Sequence, residues 1–390
     1  MELSNEDLLR LNVLAIHAEA IRIDENRLEV QGIKGDQEMK VALHPDGNPE
    51  RYLRQVRELL AGIVLNSPGG YPVYIQRWTR MGQVESARLS SLLKLAEPEA
   101  IMAVVCSPDL TNELARLAWW CEPQAEYARR LLEQPAVAAG PLGAALAAFL
   151  VEHLPFETAP QQILESVRLV LQPGLIEAPL KQRLWNRGRS SKSYRVGFLE
   201  TIPDALPEPL PPRTDLPTHQ PVLRQLAEQG NRYAAFLEQL LESRGQTFAH
   251  TVIDVMTRPA DQDVVSALFK AVGNYFSTIR AGQDELQEIA EIDAVVESLL
   301  ATDSGPLRDL WDTLPQLRGE IRAMLFLAHL DDTLLTPILS LTDAVGSVMR
   351  KKIRPVSEPM VQNLARLLGV GTEADYPTDA AALRKNMRRE

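Results

Sequence analysis

The chain reads as mainly α-helical, with one small antiparallel β-meander near its N-terminus. Three observations predict this. Apolar residues recur at helical spacing over most of the 390 residues. Alternation at period two is confined to residues 19–43. Ala and Leu are abundant while aromatics make up only 5%, a composition that favours helices. At this length two domains are expected, each able to bury its own core.

Ser4 followed by Asp7 resembles a capping box, and a first helix should run to His17. Ile21 and Ile23, then Leu28 and Val30, then Met39, Val41 and Leu43 alternate with polar residues. They predict three short half-buried strands joined by turns at Glu25-Asn26 and Gly32–Asp36. Residues 1–48 thus form a helix plus meander packed on the next segment. From Pro49, the positions Leu53, Val56, Leu59, Leu60 and Val64 predict an amphipathic helix. Gly69, Gly70 and Pro72 interrupt the chain. Between 86 and 200, prolines recur every 10–20 residues or so, a spacing suited to short helical hairpins. Residues 49–202 are expected to be a helical domain, either HEAT-like or irregular.

Seven prolines fall within 203–221. That density predicts an extended linker and a domain boundary; the alternative is a strap packed across one domain. Beyond it, residues 222–370 should form a helical bundle, with helices near 222–243, 261–279, 306–330, 333–352 and 357–369. An acidic helix is expected over Asp284–Asp303, where seven carboxylates occur with no Lys or Arg. The tail 371–390 is polar and expected to be partly disordered.

Composition also bounds the setting. The N-terminal MELSNEDLLR lacks a signal-peptide pattern. The most apolar run, Ala136–Val151, is 16 residues broken by Gly140, Pro141 and Gly143, short of the roughly 20 a bilayer span needs. Two cysteines cannot build a disulfide framework, which fits a reducing cytoplasm. The net charge of -11 opposes attraction of the whole surface to nucleic acid or anionic membrane. No membrane partner is expected.

Catalytic and metal motifs are missing. None of the six histidines lies three to five residues from another, and HExxH and CxxC do not occur. His250 with Asp254 and His329 with Asp332 suit helix-face pairs better than metal ligation. GRSSKS at 188–193 is phosphate-loop-like only in composition. GVGTEA at 369–374 follows a helical pattern where a dinucleotide fingerprint follows a strand, so Gly369 reads as a helix stop. Cys106 and Cys121 read as buried structural cysteines, with a redox or sulfur-carrying thiol as the alternative. No cofactor and no metal are expected.

The segment Lys181–Arg195 (KQRLWNRGRSSKSYR) carries six positive charges and no negative one. It has three readings. It is a solvated face paired with the acidic helix 284–303. Alternatively it binds a nucleic-acid backbone, with Trp185 or Tyr194 stacking on bases. Or it docks an acidic protein. Arg77, Trp78 and Arg80 form a smaller cationic-aromatic cluster, and Arg350–Arg354 (RKKIR) a third, read as a helix C-terminus favoured by the dipole. The candidate partner-binding residues are Arg77, Trp78, Arg80, Arg183, Trp185, Arg187, Arg189, Lys192, Tyr194 and Arg195. The cations would steer a partner and the aromatics anchor it.

Four strings carry a family resemblance: RLNVLAIHAEAIRIDENRLEV (10–30), SPGGYPVYIQRWTRMGQ (67–83), LARLAWWCEP (114–123) and SKSYRVGFLETIPDALP (191–207). They resemble the DsrS family, small soluble proteins encoded with dissimilatory sulfite reductase genes in sulfur-oxidising bacteria. The likeness covers mainly the first 210 residues. It implies a cytoplasmic accessory or regulatory protein serving oxidation of stored sulfur, and it transfers no catalytic residue; with no catalytic motif found, the protein is expected to be non-enzymatic and to act by binding macromolecular partners. A nucleic-acid-binding regulator using 181–195, and a sulfur-transfer protein using Cys106 or Cys121, are the alternatives.

Overall fold

The structure is a computed structural model that describes residues 3–65, 86–282, 286–301, 304–340 and 345–370. Its contacts divide the chain into two compact units, residues 1–155 with 173–175, and residues 156–172 with 176–390. The division lies upstream of the proline segment, so the boundary expected at 203–221 is not where the units separate.

The first unit opens with α1 (Asn5–His17), capped as expected by Ser4, whose hydroxyl accepts from the Asp7 N–H at 3.1 Å. The box is closed differently from the expectation. The Ser4 N–H donates to the Tyr52 hydroxyl, not to Asp7. The Asp7 carboxylate instead faces inward, fully buried, and accepts from the Tyr52 hydroxyl at 2.5 Å and the His44 N–H at 3.0 Å. Strands β1 (Ala20–Asp24), β2 (Glu29–Lys34) and β3 (Gln37–Ala42) form the antiparallel meander in order 1-2-3, with Val30 opposite Ile23 and Val41.

Helix α1 and α2 (Pro49–Leu65) close over the sheet around Leu11, Leu14, Ile21, Val30, Val56 and Leu60. Gly32 in β2 makes this closeness feasible. A Cβ there would lie 2.8 Å from Leu14 Cδ1 and 2.9 Å from Ala18 Cβ.

The rest of the unit is short helices: α3 (Ser86–Leu92), α4 (Pro98–Val105), α5 (Asn112–Cys121), α6 (Ala125–Leu132), α7 (Pro135–Ala138) and α8 (Gly143–His153). Prolines open α4 and α7, where a missing N–H costs nothing. Helix α5 is tied to the sheet through Arg22, whose guanidinium lies 4.3 Å from the Trp120 ring centroid and donates to the Trp120 carbonyl.

The second unit holds α9 (Pro160–Val170), α10 (Ala178–Arg187), α11 (Lys192–Thr201), α12 (Leu216–Glu228), α13 (Arg232–Leu241), α14 (Ser243–Thr257), α15 (Gln262–Tyr275), α16 (Ile289–Leu300), α17 (Pro306–Thr313), α18 (Arg318–Ala328), α19 (Thr336–Leu339) and α20 (Gly346–Leu367). Helix α11 is central, packing on α9, α10, α14 and α15, and α20 packs on α14 and α18. Phe236, Phe248, Tyr275 and Phe276 interlock, with Phe248 and Tyr275 stacked at 3.8 Å. The architecture is irregular rather than a HEAT-like repeat.

Several boundaries differ from the sequence expectation; the helix expected over 306–330, for one, is two, α17 and α18, with a 3-10 turn at Pro315–Leu317 between them. The single helix expected over 222–243 is two, broken at Gly230, which has φ +89°. The break expected between helices at 333–352 and 357–369 does not occur, because α20 runs through Pro355 and Pro359. Its apolar positions Met349, Ile353, Val356, Met360 and Leu364 keep helical spacing across both prolines, and their burial outweighs the lost hydrogen bonds.

The proline segment is a packed strap. The Leu210 N–H donates to the Thr247 hydroxyl, Ser243 donates to the Leu210 carbonyl, and the Arg213 N–H to the Leu241 carbonyl. The Arg213 guanidinium is buried and bound bidentately by Asp215 at 2.6 Å, with Glu320 at 2.8 Å. Residues 216–221 belong to α12, with Pro217 in its first turn and Pro221 inside it. Among the described residues no helix is long and apolar enough to cross a membrane.

Two predictions concern the first unit. Gly32→Ala forces its Cβ into Leu14 and Ala18, and urea titration should show a loss of about 1–3 kcal/mol; an unchanged midpoint would mean α1 can shift freely. Burial pushes the Asp7 carboxyl up, but hydrogen bonds from Tyr52 and His44 outweigh it and leave it below its ordinary value. A depressed carboxyl stabilises the fold above its unfolded pKa of about 4 and loses that contribution as pH falls through the folded value. Asp7→Asn should therefore be less stable at neutral pH. Its urea midpoint should also fall less steeply than wild type as the medium is acidified below about pH 4.

Candidate partner-binding surface

The basic run folds as the second half of α10, a turn, and the start of α11. Gly188 caps α10, and a larger residue there would be crowded. A Cβ there would meet the Arg195 side chain at 2.6–2.8 Å. Leu184 and Trp185 lie on the inner face of α10, which turns the tryptophan into the core. The indole is 3% exposed. It packs edge-to-face on Phe198 at 5.2 Å, and the Arg195 guanidinium stacks on its ring at 3.4 Å from the centroid. The indole N–H donates to Glu208 Oε2 at 3.1 Å, and Arg189 donates to Glu208 Oε1 at 2.9 Å. Glu208 sits between Pro207 and Pro209 at φ +59°, a left-handed conformation that a non-glycine residue adopts at a cost. The strap thus holds this carboxylate against the basic run.

Lys192 is also engaged. Its ammonium contacts Asp254 Oδ2 at 2.5 Å, with both side chains largely buried. Tyr194 is buried, and burial, with a smaller opposing effect from the Arg187 guanidinium that hydrogen-bonds it, pushes its hydroxyl pKa up. Trp185 and Tyr194, expected to stack on bases or anchor a partner, are core residues, and Arg195 is buried with them. Among the expected site residues of this segment, Arg183, Arg187 and Arg189 are exposed. Arg183 and Arg187 share one face of α10 at a spacing of four. Half-buried Lys181 and exposed Arg183 have no acidic partner among the described residues. Arg77, Trp78 and Arg80 lie outside the described residues.

Among the described residues the acidic helix does not pair with the basic run; Asp284, Glu285 and Asp303 lie outside them. In α16, Asp293 and Glu297 both accept from Arg322 of α18, at 3.1 and 2.9 Å. Glu288 and Glu291 form a capping box at its start. The RKKIR cluster lies in the second and third turns of α20, so the dipole reason given for a helix C-terminus does not apply. Of the two carboxylates expected beside histidines, Asp254 is bound by Lys192, and Asp332 by Lys270 at 3.0 Å. Among the described residues no cluster of His, Cys, Asp and Glu is arranged to hold a metal.

The cysteines differ from each other. Cys121 is buried, its thiol donates to the Ile21 and Leu93 carbonyls, and burial pushes its pKa up to about 12. Cys106, expected to be buried, is exposed at the end of α4, with Met102 Sδ 3.6 Å from its sulfur. The sequence signal missed here was Glu208, an acid fixed between two prolines.

No protein-family model, curated protein or solved structure matches this chain.

The thiols give a direct check. An excess of a thiol reagent should label Cys106 rapidly in native protein and Cys121 only on unfolding, followed by mass spectrometry of the digested chain. Rapid native labelling of Cys121 would contradict its burial.

Proposed function

We propose that this protein is a non-enzymatic accessory or regulatory protein of cytoplasmic sulfur oxidation, and that it works by docking an acidic protein partner on α10. The observation that carries the reading is exposed Arg183, which has no acidic partner among the described residues and shares one face of α10 with exposed Arg187, in a chain with net charge -11. Charge complementarity of this kind sets the orientation and rate of encounter. The burial of Trp185 and Tyr194 favours a protein over a single-stranded nucleic acid, because base stacking supplies much of the latter's affinity. The likeness of four segments to the DsrS family supports the sulfur-oxidation setting and the cytoplasmic location.

The test uses Lys181→Glu with Arg183→Glu. Lys192 is unsuitable, since a carboxylate there would face Asp254 in a largely buried site. Purified full-length chain serves as bait in lysate of sulfur-oxidising cells at low salt. Wild type should capture defined sulfur-oxidation proteins, and the double variant should recover them at roughly a tenth of that level or less, because like-charge juxtaposition costs several kcal/mol. Recovery of RNA in place of protein, or equal capture by both baits, would refute the reading.

A further inference from the structure

A second surface lies on α20 and differs in chemistry from α10. We propose that the first three turns of α20 dock an acidic, aliphatic-bearing segment of another protein. Val345 and Val348 are 63% and 57% exposed. Lys351 and Lys352 follow Val348 at three and four residues, so the same face continues as cations, both exposed, and Pro355 extends it. The opposite face is fixed, because Met349, Ile353, Val356 and Met360 are buried and the helix packs on α14 and α18. The exposed stripe cannot rotate inward without expelling those four side chains.

Among the described residues, three acids on α20 or on elements packed against it are already committed. Glu358 is taken by Arg354, Asp254 by Lys192 and Asp332 by Lys270. Arg350, Lys351 and Lys352 have no acidic partner among the described residues. Gln246, in the first turn of α14, donates to the carbonyl of Leu367 in the last turn of α20. The two packed helices therefore run antiparallel, and exposed Arg258 at the end of α14 adds its charge at the same end as the α20 cations.

The two kinds of side chain together select the partner. The cations require carboxylates or phosphates. The valines require an aliphatic surface, which a phosphate backbone does not offer, and the stripe presents no aromatic ring for base stacking. Two valines are also far less apolar area than an interfacial membrane helix buries. A polypeptide with acidic and aliphatic residues on one face satisfies both.

The test titrates full-length protein into four probes, read by fluorescence anisotropy. They are a fluorescein-labelled helical peptide with Glu and Leu on one face, the same peptide with Leu replaced by Ser, a single-stranded RNA oligomer, and labelled phosphatidylglycerol vesicles. The Glu/Leu peptide should bind most tightly. Lys351→Glu with Lys352→Glu should weaken it by roughly tenfold or more, and Val345→Ser with Val348→Ser by about tenfold. All four positions are solvent-facing, so unchanged thermal melts of both variants are the expected control. Equal binding of the Ser peptide, indifference to either variant, or tighter binding of RNA or vesicles overturns the proposal. A loss produced instead by Lys181→Glu with Arg183→Glu assigns the peptide to α10 and overturns it too. Failure on α20 leaves the α10 reading standing, since the two surfaces are tested by separate variants.

Discussion

Burial of the Trp185 ring decides the character of the basic run. One indole recruits a stacked guanidinium from Arg195, an edge contact from Phe198 and a carboxylate from Glu208. A desolvated cation–π contact contributes about 2 kcal/mol, and the indole hydrogen bond satisfies a donor that burial would otherwise leave costly. Once Trp185 is inside, Arg195 must follow it, Gly188 must remain a glycine, and Glu208 must hold a left-handed backbone between two prolines. The cationic segment is in this way sorted into charges that build the fold and charges that remain available.

The strap that supplies Glu208 depends in turn on Arg213. A buried guanidinium is tolerable only when its donors are used, and Asp215 and Glu320 use them bidentately and from two elements. The strap backbone finds its remaining partners on α13 and α14. Proline lowers the entropy lost on docking, because its φ is fixed before folding begins. Density of proline therefore marks a segment that is extended, and leaves open whether it hangs between domains or lies on one.

That ambiguity is typical of what the sequence does and does not disclose here. The meander, α1 and α2 were legible because half-buried elements imprint their period on neighbouring residues. Helix α20 was misdivided because proline signals are local, whereas the burial of Met349, Ile353, Val356 and Met360 is a tertiary gain. The candidate site was half legible. Charge identified the segment, but charge along a chain does not say which cations meet a carboxylate 19 or 62 residues away, as Arg189 and Lys192 do. Trp185 and Tyr194 were misread for the same reason: aromatic residues beside cations look alike whether they face water or a core.

The interleaving of the two units has a consequence for synthesis. Residues 173–175 belong to the first unit while 156–172 belong to the second. On the ribosome the first unit is therefore incomplete until Leu175 has emerged, and by then α9 has emerged as well. Its Ile163, Leu164, Val167 and Val170 are destined for burial in a unit whose helices α11 and α15 are still unmade. At typical translation rates α15 follows about 5–20 s later. For that interval the nascent chain presents an unpaired apolar helix, the kind of surface that chaperones bind.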